Sequence, residues 1–171
     1  MKRIVFILSI LFSAPAFAQY PLIDAARNND TLQMAAALAS GAKPDDTDAR
    51  GSTALIVAAY NGNEDALRWL IARGAGLDAQ DAMSNTALMG VCFKGYENIA
   101  RILLEAGAAP DIQNGNQATA LSFAATFGHT GIVKLLLAHG ADKDRPDRFG
   151  NTPLMHAQMQ GNTEITELLK P

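Results

Sequence analysis

The chain has 171 residues, of which 49% are hydrophobic and 18% are charged, and its formal net charge is −3. This length is enough for one domain, and the negative charge argues against nucleic acid as a partner, because binding it requires a concentrated basic surface. The single cysteine, Cys92, excludes an internal disulfide, so packing must stabilise the protein. We expect Cys92 to be a small core residue rather than a reactive thiol.

Residues 1–18 have the organisation of a cleaved secretory signal peptide. Lys2 and Arg3 precede the apolar run Ile4–Phe12, and the segment ends in an Ala-Phe-Ala cleavage site. The apolar run is shorter than the ~20 residues needed to span a bilayer, and no cysteine lies near the cut, so we expect neither a membrane anchor nor a lipid anchor. The sequence thus predicts an exported protein, periplasmic or secreted, whose mature domain is residues 19–171. Loss of the two basic residues leaves 12 basic residues against 17 acidic ones, a net charge of −5.

The rest of the chain repeats with a period of 33 residues. Several residue types recur in phase and without insertion: Thr53, Thr86, Thr119 and Thr152; Leu55, Leu88, Leu121 and Leu154; Gly62, Gly95, Gly128 and Gly161. Such a period identifies a repeat architecture. It divides the domain into five predicted units, numbered here from the N terminus: 19–47, 48–80, 81–113, 114–146 and 147–171.

Each complete unit is predicted to contain two helices and a turn. In the second unit Thr53 begins a short helix, which Gly62 ends by providing a positive φ. Asn63 is then expected to cap a second helix that buries one apolar stripe and stops at Gly74. Neither helix can bury its apolar face alone, so stability must come from stacking of the units. The recurring leucines are expected to form one continuous ladder through the stack: Leu55, Leu88, Leu121 and Leu154.

The repeated motif resembles the ankyrin repeat. Asp147–Ala157 reads DRFGNTPLMHA, close to the family pattern D-x-x-G-x-T-P-L-H-x-A, and Lys134–Asp142 reads KLLLAHGAD, close to its L-L-x-x-G-A-D closure. The resemblance covers Leu22 to Leu169. It implies an all-α solenoid of αα-hairpins with projecting β-hairpin-like turns and about five repeats. The first and last units are truncated and polar, so we expect them to act as caps.

Motifs for catalysis or metal binding are weak. The histidines His129, His139 and His156 lack ligand spacing, so we expect structural roles for them. Residues 44–51 begin like a calcium loop, but Arg50 occupies a ligand position. Aspartates recur at the repeat period, which indicates architecture rather than a site: Asp45, Asp78, Asp111 and Asp144. Because no nucleophile–base motif or phosphate-binding glycine loop occurs, we expect no enzymatic activity, no metal and no cofactor.

The resemblance implies a protein-binding surface, because ankyrin proteins use their projecting turns and the outward positions of their first helices, which line a concave groove. These positions here hold aromatic, methionine and basic side chains of the kind that interface cores favour. The candidate partner-binding residues are Arg50, Tyr60, Met83, Phe93, Lys94, Phe127, Phe149 and Met159. The alternative is that each ring only covers the alanine-rich helix of its neighbour. We expect a monomer whose partner is another protein, with Tyr60, Phe93 and Phe127 as anchors.

Resemblance to small exported bacterial ankyrin proteins implies two roles in a periplasm. The protein would support a partner enzyme, for example an oxidative-stress enzyme such as a catalase, or it would neutralise a toxin as an immunity protein. A third function, of a different class, is that of a secreted effector that binds a host protein, and it is compatible with the same fold. Neighbouring genes would discriminate between the three.

Overall fold

The computed structural model describes residues 19–171, so the predicted signal peptide lies outside the described residues. These residues form ten short α-helices, two in each predicted unit: α1 Pro21–Arg27, α2 Thr31–Ala39, α3 Ala54–Asn61, α4 Glu64–Ile71, α5 Ala87–Lys94, α6 Glu97–Glu105, α7 Ala120–Thr126, α8 Thr130–Ala138, α9 Pro153–Met159 and α10 Thr163–Leu169. Isolated helices of this length are marginal in water, so each depends on packing. None of these ten helices is long and apolar enough to cross a membrane.

Threonine begins the first helix of each of the last four units. It has an extended backbone, and its hydroxyl accepts a hydrogen bond from the N–H group three residues later: Thr53, Thr86, Thr119 and Thr152. Gly62 and Gly95 end α3 and α5 in the left-handed conformation, with φ of 78° and 79°. Glycine adopts this conformation without a steric penalty. The predicted start and end of α3 are therefore confirmed.

The helices stack in two layers. First helices of successive units pack on one another, α1 on α3, α3 on α5, α5 on α7 and α7 on α9, and each second helix packs against the first helix of its own unit. One hydrophobic core runs through the stack. The predicted all-α solenoid is confirmed, while the count of about five repeats stays a prediction.

The leucine ladder is complete in the interior and open at one end. Leu55, Leu88 and Leu121 are buried, whereas Leu154 is only partly buried. The predicted ladder thus extends to Leu154, which packs against the core although it is only partly buried. The reason is that α9 is the last of the stacked first helices and has a neighbouring first helix on one side only, α7.

Gln158 gives the fifth unit a polar surface where the other units are apolar. The equivalent residues in α1, α3, α5 and α7 are small and fully buried: Ala26, Ala59, Cys92 and Ala125. Gln158 is exposed. A buried glutamine amide without partners would be costly, so a polar residue fits only where the stack ends.

Asn63 does not cap α4, contrary to the sequence-based expectation. Its side-chain amide donates hydrogen bonds to the carbonyls of Ala26 and Arg27, at 2.9 and 2.8 Å, at the C-terminal end of α1. Carbonyls in the last turn of a helix have lost their regular intrahelical partners, so the amide satisfies them instead. His129 acts similarly, with Nε2 3.4 Å from the carbonyl oxygen of Phe93 in α5. Both side chains therefore link neighbouring units.

A β-hairpin-like turn precedes α3, α5, α7 and α9. In the turn before α3, Thr47, the last residue of the first unit, forms an antiparallel bridge with Thr53. The Asp48 carboxylate accepts hydrogen bonds from the N–H groups of Arg50 and Ser52, at 2.8 and 3.0 Å. The same pair of hydrogen bonds recurs at the equivalent positions of the next three units, Asp81, Asn114 and Asp147. The side chain at this position therefore shapes each turn.

Backbone hydrogen bonds join each turn to the next. The N–H of Ala82 donates to the carbonyl of Arg50 at 2.9 Å, and the N–H of Gly115 donates to that of Met83 at 3.0 Å. In the same way, the N–H of Arg148 in the turn of the fifth unit donates to the carbonyl of Asn116 in the turn of the fourth unit, at 2.9 Å. The turns consequently form one row alongside the first helices, and this row is one wall of a groove.

Candidate protein-binding groove

The groove lies between the turns of the second and third units and the helices α3 and α5. Its volume is about 700 Å³, and it is lined in part by four of the candidate residues: Arg50, Tyr60, Met83 and Phe93. Pockets that enclose small ligands have volumes of roughly 300–1,000 Å³. The groove is comparable in volume to such pockets.

The sequence prediction did not include the apolar floor of the groove. Ile56 and Met89 are buried and Phe123 is partly buried, and together they give the groove an apolar floor. Ile56 and Met89 stand where the family pattern T-P-L-H has its histidine. Their apolar character at that position was the signal that could have identified them.

Three aromatic rings form a continuous row along the first helices, which we call the aromatic row. The rings of Tyr60 and Phe93 are nearly parallel, 9° apart, with centroids separated by 6.2 Å. Phe127 meets Phe93 edge to face, at 4.7 Å and 76°. Each ring is 39–47% exposed, so it packs on its neighbour and still presents a surface to solvent. The rings are therefore held by their neighbours while they remain partly exposed.

Two basic candidate residues border the groove. Lys94 Nζ lies 5.1 Å from the ring centroid of Tyr60 and 5.9 Å from that of Tyr96. The Arg50 side chain is 82% exposed, and its Nε lies 4.0 Å from Asp48 Oδ2, at the limit of an ion pair. Positive charge is thus placed beside the aromatic surface and in contact with solvent.

Phe149 and Met159, the two candidates in the fifth unit, lie outside the groove lining. Both are exposed, Phe149 in the turn and Met159 at the end of α9. The guanidinium of Arg148 lies 4.6 Å from the ring centroid of Phe149. The structure therefore separates these two residues from the six candidates that line or adjoin the groove and the aromatic row.

The recurring aspartates link one unit to the next. In three of the four, the carboxylate accepts a hydrogen bond from the N–H group 31 residues later, at 2.8–3.0 Å: Asp45 with Gly76, Asp78 with Ala109, and Asp111 with Asp142. The interpretation of these three as architecture is confirmed.

Cys92 is not placed for nucleophilic chemistry. It is fully buried in α5, and burial raises the pKa of its thiol, so the thiol stays protonated at neutral pH. Within residues 19–171, no group of three histidine, cysteine or acidic side chains lies close enough to hold a metal ion.

His156, which is partly buried, pairs with buried Asp147 at the turn of the fifth unit. His156 Nε2 lies 3.0 Å from Asp147 Oδ2. Burial alone would raise the pKa of Asp147, but hydrogen bonds from the N–H groups of Asn151 and Phe149 and the contact with His156 outweigh it, and the pKa is lowered. The pair links the turn to α9, so we assign His156 a structural role.

Stacked pairs of short helices, a row of projecting turns and a groove between them define a helical repeat solenoid of the protein-binding class. The chain belongs to the ankyrin repeat family. The family model "Ankyrin repeats (3 copies)" matches residues 22–114 and 106–171, nearly all of the described chain. No curated protein matches the chain. Ankyrin repeats are protein–protein interaction modules and are typically non-enzymatic.

Proposed function

We propose that this protein is an exported, non-enzymatic binding module that acts in the periplasm, where it supports or modulates a partner protein. The partner contacts the groove and the aromatic row, with Tyr60, Phe93 and Phe127 as anchors. One observation carries the proposal. Of the eight large hydrophobic residues that are exposed within residues 19–171, seven lie in the turns or along the first helices: Tyr60, Met83, Phe93, Phe127, Phe149, Met155 and Met159. Exposed apolar surface concentrated on one face is typical of interaction sites.

The alternative role, covering the neighbouring helix, applies to Tyr60 in part. A Cβ placed on Gly90 in α5 would lie 3.5 Å from the Tyr60 ring, so the ring rests on that glycine. The ring still presents a surface to solvent, because 47% of Tyr60 is exposed, although Lys94 Nζ lies 5.1 Å from its centroid. A ring that is held by its neighbours and still exposed suits an anchor that binds with little reorganisation.

The proposal is tested by capture from a periplasmic extract with three immobilised proteins. These are the wild type, the Tyr60→Ala/Phe93→Ala variant and the Leu32→Ala control, which removes the one exposed large hydrophobic residue of residues 19–171 that lies outside this face. Each anchor is expected to contribute on the order of 2 kcal/mol, about 30-fold in Kd, so the double variant should lose the partner and the control should keep it. A partner that binds all three proteins equally would show that the face is wrongly assigned.

Export is supported by the signal pattern of residues 1–18 and is tested separately. Mass spectrometry of the periplasmic fraction should detect a protein that begins at Gln19. Detection of Met1 in that fraction, or of the protein in the cytoplasm alone, would contradict export with cleavage.

A further inference from the structure

The face that carries the groove is not acidic, although the domain is. The turns and first helices of the last four units, residues 48–61, 81–94, 114–127 and 147–160, contain three of the 12 basic and three of the 17 acidic residues of the domain. The rest of residues 19–171 therefore has nine basic and 14 acidic residues. All of the net negative charge lies outside this face.

The three acidic side chains on this face are engaged in the turns. Asp48, Asp81 and Asp147 each accept two backbone N–H groups. The side chains of Asp48 and Asp147 are only 8% exposed. Two amide donors offset part of the charge of each carboxylate, and Asp48 and Asp147 are in addition turned away from solvent. Asp81 is partly exposed and lines the groove, where the Asn85 side-chain amide donates a further hydrogen bond to its Oδ2 at 3.4 Å.

The three basic side chains on the same face are available to a partner. Arg50 projects into solvent, and Lys94 and Arg148 lie over the rings of Tyr60 and Phe149. A contact with an aromatic ring holds a cation in place without cancelling its charge. The groove therefore combines an apolar floor with positive charge at its border.

Resting on the proposed function, we propose that the partner inserts a short peptide segment in which apolar side chains stand next to aspartate or glutamate. The apolar side chains fill the space between Tyr60, Met83 and Phe93, and the carboxylates meet Arg50 and Lys94. Buried apolar surface supplies most of the affinity, and the charge pairs supply orientation and selection among partners.

Single-stranded nucleic acid also combines stacking rings with negative charge. The structure favours a peptide, because three cations spread over four units offer few phosphate contacts. A domain with a net charge of −5 would in addition repel an extended polyanion.

The test selects random displayed peptides on the purified wild-type protein. One enriched peptide is then synthesised with two analogues, in which its acidic residues are replaced by their amides or by lysine. Fluorescence anisotropy should show the amide analogue binding about tenfold more weakly than the acidic peptide, and this gap should shrink at high salt. The probe for nucleic acid is an oligothymidylate of similar length.

Two charge variants locate the effect. Arg50→Glu/Lys94→Glu should weaken the acidic peptide by about tenfold or more and strengthen the lysine analogue. Lys43→Glu/Arg101→Glu changes the net charge equally but lies outside the groove face, so it should change neither affinity by more than about twofold.

The outcomes separate this inference from the proposed function. Peptides that need Tyr60 and Phe93 but bind equally well as amides overturn the inference and leave the proposed function standing. Binding that survives Tyr60→Ala/Phe93→Ala overturns both. Failure to enrich any peptide, equal weakening by the control charge variant, or tighter binding of the oligothymidylate overturns the inference.

Discussion

The third and fifth units place related residues at the same positions but in different surroundings. Helix α5 lies between α3 and α7, whereas α9 has α7 alone as a neighbouring first helix. Leu88 is accordingly buried and Leu154 partly exposed, and buried Cys92 has exposed Gln158 as its counterpart. Because the local motif is shared, the difference must come from the contacts between units. Contacts between units therefore contribute more to the stability of this protein than contacts within any single unit.

The largest expected effect is a direct test of this difference. Leu88→Ala should lower the free energy of unfolding by about 2–5 kcal/mol, because it leaves a cavity in the core. Leu154→Ala removes the same atoms from a partly exposed site and should cost about 1 kcal/mol. Urea denaturation followed by circular dichroism measures both. Equal losses would mean that position in the motif, rather than the neighbouring unit, determines the contribution.

A smaller effect is expected at the tips of the turns. Ser84 in the third unit has φ of 62°, and Gly150 occupies the same position in the fifth unit with φ of 82°. A side chain is strained in this conformation, so Ser84→Gly should stabilise the protein by about 0.5–1 kcal/mol. The reciprocal change, Gly150→Ser, should destabilise it by a similar amount, since no atom lies within 4 Å of the added Cβ and backbone strain is the main cost. Thermal denaturation in which the two changes shift the Tm in the same direction would contradict this account.

The smallest expected effect on stability depends on pH and concerns Asp147 in the turn of the fifth unit. The lowered pKa of Asp147 means that its contribution to stability is present above the ordinary carboxylate pKa of about 3.9 and is lost as the pH falls through the folded-state value. Asn114 fills the same position in the fourth unit without titrating. Asp147→Asn should therefore be less stable than the wild type at neutral pH, and the difference should disappear in acid. A difference that is independent of pH, measured by urea denaturation across that range, would show that ionisation of Asp147 contributes nothing.

Most of the fold was predictable because its determinants are local and periodic. The threonine starts, the glycine ends and the interior leucines repeat every 33 residues, and the structure places them as expected. The side-chain partners of Asn63 were not predictable in the same way. Its acceptors lie 36 and 37 residues away in the preceding unit, and the pattern after Gly62 reads as an ordinary helix cap. Contacts that cross between units leave no signature within one motif.

The site was predictable in position and less so in its internal contacts. Outward positions of the first helices identified Tyr60 and Phe93, which are 33 residues apart. Phe127 is one residue beyond the next step of that period, where Thr126 stands, yet its ring reaches the edge of Phe93. The apolar floor was missed because Ile56 and Met89 read as core residues, and only the turns of the structure show that a groove opens above them. Whether these residues bind a partner stays a prediction.

The reactivity of the buried Cys92 thiol can be used to measure how often the units separate. The thiol lies in α5, at the contact between the third unit and its neighbours, and is closed to solvent. A thiol reagent can reach it only while these units separate, so the rate of labelling measures how often the stack opens. Because the sequence has one cysteine, that rate is read from an unmodified chain, and bound partner should slow it if binding spans the second, third and fourth units.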